Sequence, residues 1–226
     1  MAEDQRLYGY FGTTLPDPGA DSWQPVRISA RGEMAVIDFY HKMAMEGRCY
    51  QVRAGTIATG LAADSTLTDT AAQMCVDAAA GLTIIPAELQ VSLVSVATAL
   101  LLSVKLKAVG AASTVGTAFV PLPLRQGGAA ASSTARAMTD GGVTVAAELA
   151  TTTRVLFEAI DNHTQTPTTA LGHTAIVGNS TIAWQPRIPY IGDGVACVYL
   201  QVASTTAATL HYGHLNYVEL ATASVT

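Results

Sequence analysis

Charge is what this chain has least of. Of its 226 residues only 13% are Asp, Glu, Lys or Arg, about half the roughly 25% of a typical soluble domain. Disordered chains are charged and poor in apolar residues. Here 50% of residues are apolar, so a disordered tail is excluded. The 12 basic residues are outnumbered by 17 acidic ones. A phosphate footprint needs surplus Lys and Arg, so this balance argues against nucleic-acid binding. Aromatics make up 6% of the chain, and its small residues are mostly Ala, Val and Thr. The eight Tyr and two Trp form no girdles of the kind an outer-membrane barrel requires.

Cysteine is also scarce. Cys49, Cys75 and Cys197 are odd in number and widely spaced, which fits neither a disulfide framework nor a C-x-x-C zinc motif. Buried free thiols and a reducing compartment of assembly are expected. The longest apolar stretch, 91–104, lies between Glu88 and Lys105. It is shorter than the roughly 18 residues of a spanning helix, so no membrane association is expected. The first residues, MAEDQ, are acidic and lead into no apolar core of a secretory signal.

Motifs that carry chemistry are missing too. There is no H-E-x-x-H, no EF-hand loop and no G-x-S-x-G. GGAAASS at 127–133 precedes no phosphate-binding Lys and reads as a loop. His211 and His214 are three apart, which on a strand puts their rings on opposite faces. Asp64, Asp69 and Asp77 read as solvated loop carboxylates without calcium-loop spacing. Glu148, Glu158 and Asp161 lie on or near strands, and only their separation in space would decide whether they form a glycosidase pair. No catalytic residue, metal site or cofactor is expected.

What is present is strand pattern and turn chemistry. Residues 1–33 predict an extended arm with apolar anchors at Leu7, Tyr8, Tyr10, Phe11 and Trp23, broken by the turn LPDPG. Arg27, Arg31, Arg48 and Arg53 alternate with Asp21, Glu33, Asp38 and Glu46, a mixed-charge surface for protein contact. Residues 34–45 fit helix and strand spacing equally. Period-two alternation predicts strands at 49–54, 89–93 and 102–108. Residues 143–146, 154–159 and 210–220 also read as strands, and 195–202 does so by its β-branched and aromatic content. The stretch 94–101 reads as a strand buried on both faces or an Ala-rich helix. FVPLPL at 119–124 has alternate prolines and is predicted at a sheet edge. Residues 55–72 and 161–173 read as loops. Residues 34–226 are thus expected to form one all-β domain, an antiparallel β-sandwich.

The arm at 7–26, the Thr/Ala/Gly-rich loops and the closing strands VACVYLQVASTTAATLHYGHLNYVEL resemble viral single jelly-roll proteins of the tailed-phage decoration (cement) or head-structural kind. The resemblance implies a jelly-roll-type sandwich and a non-enzymatic virion protein, a homo-oligomer (a trimer) bound to the major capsid protein or other shell subunits. It implies partner contacts through Leu7, Tyr8, Tyr10, Phe11, Trp23, Arg27 and Arg31. A subunit interface through Tyr199, His211, Tyr212, His214 and Tyr217 is implied in the same way. The low charge fits this expectation, because obligate interfaces are large and apolar. The alternative is a carbohydrate- or receptor-binding fibre module with Trp184, Tyr190 and His173 at its site.

Overall fold

Alternating apolar and polar residues fold here as antiparallel strands, each apolar set turned toward a facing sheet. In the computed structural model the described residues are 8–9, 24–25, 39–56, 58–64, 70–95, 100–137, 143–145, 153–163, 181–204 and 209–224; for 8–9, 24–25, 95, 100 and 161–163 only the backbone is described. The first elements are β1 (Tyr8–Gly9), β2 (Gln24–Pro25), α1 (Phe39–Met45), β3 (Cys49–Ala54), β4 (Leu61–Ala62) and β5 (Ala71–Ala72). Then follow β6 (Met74–Ala78), β7 (Leu82–Ser95), β8 (Leu100–Val109), β9 (Thr117–Phe119), β10 (Leu122–Pro123) and β11 (Thr134–Ala137). The remainder is β12 (Val143–Thr144), β13 (Arg154–His163), β14 (Thr181–Trp184), β15 (Gly192–Asp193), β16 (Ala196–Ser204) and β17 (Leu210–Ala221).

Two antiparallel sheets form a β-sandwich. One runs β10-β3-β17-β7-β14, with β4 and β15 added beside β17 and β7. The other runs β13-β8-β16-β6-β11-β9. Between them lies the main core, with Val52, Leu89, Leu106, Leu200, Val202 and Leu215 at its centre. Both sheets are also covered on part of their outer faces. α1 sits on the first sheet over Ile85, Val218 and Leu220. The β5–β12 ribbon belongs to a second cluster on the other sheet with Cys75, Val109, Cys197 and Tyr199. This double cover explains why all nine residues of β16 are buried.

Several expectations need correction. Residues 34–38 lie outside the described residues, and 39–45 fold as helix, with Phe39, Tyr40 and Met43 packed on one face. The helix ends where Gly47 takes φ 75°. Arg48 N–H then bonds Met43 O at 2.9 Å and Gly47 N–H bonds Ala44 O at 3.0 Å, a Schellman stop. The predicted loop at 55–72 holds the short strands β4 and β5. The predicted loop at 161–173 begins as strand, through His163; its remainder lies outside the described residues. Of residues 94–101, 94–95 end β7 and 100–101 begin β8, where Leu101 is 45% exposed rather than buried; 96–99 lie outside the described residues.

Besides the two-residue strands, β6 and β11 carry no strand signal in the sequence. β6 is buried at every position and so shows no period-two alternation. β11 is only four residues long. The prolines sit where their missing N–H costs least. β9 and β10 are both sheet edges. Pro86 lies inside β7 at the register shift opposite Asn216 and Tyr217, where a bulge tolerates it.

Val115 has φ 62°, followed by Gly116 at 76°. A β-branched residue is strained in that region, whereas Asn adopts it readily. Val115 is 60% exposed and contributes little packing. Val115→Asn is therefore expected to stabilise the fold by about 1 kcal/mol, read as a higher urea midpoint at unchanged slope.

Candidate functional site

The described surface exposes large apolar side chains along the side of the sandwich bounded by β13 and, apart from it, at Met45, Val115, Val120, Leu122 and Leu124. β13 is an outer strand, paired through β8 alone among the described residues. Val155 and Ile160 are 50% and 64% exposed there. Leu101 on the neighbouring β8 is exposed beside them, since β13 pairs β8 with Ile160 opposite Ser103 and Asn162 opposite Leu101. The sandwich is closed on this side by Phe157 of β13 and Trp184 of β14, whose rings lie 6.1 Å apart. Beyond Trp184 the chain exposes Ile188 (85%), Ile191 and Val195. A pocket of about 370 Å³ joins the two stretches, lined by Arg154, Val155, Trp184, Ile188, Pro189 and Tyr190. Burial pushes the Tyr190 phenol up from its ordinary pKa.

The other sheet presents a polar groove of about 600 Å³ beside α1, lined in part by Tyr40, His41, Glu88, Gln185 and Asn216. Two of its lining residues, Asn216 and Glu88, end a chain of hydrogen bonds across three strands. Arg53 Nε donates to Gln51 Oε1 at 2.5 Å, Gln51 Nε2 to Asn216 Oδ1 at 2.9 Å, and Asn216 Nδ2 to Glu88 Oε2 at 2.9 Å. His214 lies on this face, and partial burial lowers its pKa despite the nearby Glu88.

A third group of reactive side chains lies under the β5–β12 ribbon. Cys75 and Asp77 share the outer face of β6, and Cys197 stands opposite Asp77 on β16. The cysteine sulfurs and an Asp77 oxygen lie within 4.8 Å of one another, all three residues buried. Ser113 donates to Asp77 twice, N–H to Oδ1 at 2.8 Å and Oγ–H to Oδ2 at 2.5 Å. The Cys75 thiol donates to Ser113 Oγ at 3.0 Å. Arg136 Nε is 3.6 Å from Asp77 Oδ2. The hydrogen bond with Cys75, followed by burial, pushes the Cys197 thiol well above its ordinary pKa.

The residues singled out in the sequence divide. Leu7, Tyr10, Phe11, Trp23, Arg27 and Arg31 of the arm lie outside the described residues, as do Asp69, Glu148 and His173. Tyr8 belongs to β1, which pairs β2 with Tyr8 opposite Pro25. Three expected interface residues are buried within the chain's own fold, which corrects that expectation. Tyr199 is in the cluster under the ribbon. Tyr217 is between the sheets, 5.9 Å from the ring of Tyr50, with its hydroxyl 2.7 Å from Ser133 Oγ. His211 is fully buried where β17 is flanked by Leu61 of β4 and Leu93 of β7. Tyr212 and His214 keep partial exposure on the opposite face of β17, as three-residue spacing on a strand requires.

Trp184 and Tyr190 do come together, in the pocket at the β13 side. All three cysteines are free and buried, as expected. Asp77 is not a solvated loop carboxylate: it is 8% exposed inside a strand. Glu158 faces outward and pairs with Lys105 at 3.0 Å, and no described carboxylate faces it. The cluster of Cys75, Asp77 and Cys197 escaped sequence reasoning because its members come from two strands 120 residues apart. The available signal was C-x-D, an alternation that places both side chains on one face of a strand. No known protein family, no curated protein and no solved structure matches this chain.

Proposed function

We propose that this chain is a non-enzymatic structural subunit of a virus particle, a capsid decoration or head protein of jelly-roll type. It self-associates as a trimer and contacts the major capsid protein or neighbouring shell subunits through its arm. The observation that carries the reading is the apolar outer strand β13, with Val155 and Ile160 exposed and Leu101 beside it. Soluble monomers normally blunt such an edge with charge or proline, because its unpaired backbone groups template pairing with another chain. The charged residues of β13 with described side chains are Arg154, near its start, and Glu158, which Lys105 pairs. The occupant that fits is a second copy of this chain, whose surface is equally poor in charge.

Solution mass at micromolar concentration tests this. The intact chain is expected to be oligomeric, and V155K/I160K is expected to shift it to monomer with unchanged circular dichroism, since both side chains face solvent. A monomeric intact chain ends the reading. Deleting residues 1–33 is expected to leave the sandwich folded and to abolish particle binding.

A second reading, a glycan-binding fibre module, is favoured by the shared Trp184 and Tyr190 pocket. An aromatic face beside a few polar groups is the usual layout for a sugar ring. Hits on a glycan array, lost in Trp184→Ala, would select it over assembly.

A further inference from the structure

We propose that Cys75, Asp77 and Cys197 form a structural zinc site, with a water as the fourth ligand. This stands independently of whether the chain self-associates. Tetrahedral zinc takes sulfur at about 2.3 Å and oxygen at about 2.0–2.2 Å, which sets ligand atoms roughly 3.3–3.8 Å apart. The three ligand atoms already lie within 4.8 Å of one another. Cys75 Sγ is 4.0 Å from Asp77 Oδ2 and 3.0 Å from Ser113 Oγ. Small side-chain rotations, without movement of the strands, close the set around a metal.

The surroundings match what such a site needs. Ser113 holds both oxygens of Asp77, N–H to Oδ1 and Oγ–H to Oδ2, which orients the carboxylate with Oδ2 4.0 Å from Cys75 Sγ. Outer-shell bonds of this kind fix ligand geometry. Two thiolates and a carboxylate around Zn²⁺ leave one net negative charge, and the Arg136 guanidinium stands beside Oδ2 to offset it. Arg136 Nε is buried, and within the described residues no acceptor lies in hydrogen-bonding range, so the hydrogen bonds alone do not close the cluster. Soft sulfur ligands select zinc over calcium or magnesium. Binding releases the two thiol protons to solvent. The metal would tie β6, β16 and the loop after β8 under the β5–β12 ribbon, and because the site is buried it loads during folding.

The full chain, expressed with supplementary zinc and purified under reducing conditions, is expected to carry one zinc per chain by elemental analysis and native mass. Refolded with Co²⁺, it is expected to show a thiolate-to-cobalt charge-transfer band. Cys75→Ser and Cys197→Ser each halve that band, whereas Cys49→Ser, on the other sheet, leaves it unchanged. Arg136→Met weakens metal binding by about 10–100-fold. Should the serine variants not fold, zinc is expected to slow alkylation of Cys75 and Cys197 in the parent chain but not of Cys49. The proposal is overturned by a metal-free chain without the cobalt band, by equal alkylation rates with and without zinc, or by a native mass two hydrogens lighter, which marks a Cys75–Cys197 disulfide instead.

Discussion

Acidifying the protein from pH 6.5 to pH 4 is expected to remove about 3 kcal/mol of stability through one side chain, His211. The imidazole is fully buried, and neither ring nitrogen has a hydrogen-bond partner among the described residues. Burial without a partner disfavours the imidazolium and lowers the pKa from 6.5 to about 4. The unfolded chain takes up its proton near pH 6.5, and the folded chain only near 4. Between those values the unfolded state binds more protons, so stability falls as pH falls through the window. Below pH 4 both states are protonated and this contribution stops changing.

Replacing the ring isolates the effect. His211→Leu leaves nothing to protonate at this position and removes two unsatisfied nitrogens from the interior. At pH 7 the variant is expected to be at least as stable as the parent. At pH 4 it is expected to be more stable by about 3 kcal/mol. Urea midpoints measured at several pH values for both proteins check this. Parallel curves would mean that His211 reaches solvent or a partner in the folded state.

The same histidine shows where sequence reading stops. Its strand was legible at 210–220, after the short connection at 204–208, and so was the opposition of His211 to His214. Which face looked inward was not, since burial depends on the sheet that packs opposite. Pattern located strands wherever one face meets the core and the other meets solvent, as at 49–54 and 102–108. It failed at β6, where α-carbon neighbours on both faces are buried and the alternation vanishes. The reactive cluster sits on that strand, so the element with the least pattern carries the most chemistry. Tyr199 and Tyr217 were assigned to an interface because aromatic-rich closing strands suggested one. The ribbon over the first and the facing sheet over the second fill that role within the chain itself.

The low charge that first suggested a covered surface therefore has two sources. Part of it is internal: the β5–β12 ribbon and α1 cover outer sheet faces that a simple sandwich would leave to polar side chains. The rest remains on the outside, at β13, at Ile188, Ile191 and Val195, and around the β10 edge at Val120, Leu122 and Leu124. Only this second part bears on a partner, so the case for assembly rests on a smaller and better located surface than composition alone implies.

Glu219→Ala is expected to destabilise the fold by about 4 kcal/mol. Glu219 lies on β17 in one sheet, yet its carboxylate holds the turn that leads into β11 of the other. Oε1 accepts from Ser132 N–H at 2.9 Å, and Oε2 accepts from Ser133 N–H at 2.9 Å and from Ser133 Oγ–H at 2.6 Å. The Tyr217 hydroxyl completes the network at 2.7 Å from the same Ser133 oxygen. Ser133 is 4% exposed and Glu219 7%, so water is poorly placed to replace the carboxylate. Removing it strands two backbone donors and a hydroxyl, at about 1–3 kcal/mol for each buried group left unsatisfied. Ser133→Ala deletes only the hydroxyl and is expected to cost about 1.5 kcal/mol, because both backbone bonds survive. Glu219→Gln should fall between them: the amide oxygen accepts one N–H while its NH₂ faces the other. Denaturant unfolding of the three variants gives the ranking. Native-state hydrogen exchange places the cause, since the Ser132 and Ser133 amides should lose protection in Glu219→Ala and keep it in Ser133→Ala. If Ser133→Ala proves as damaging as Glu219→Ala, the clamp depends on the hydroxyl network with Tyr217 rather than on the carboxylate.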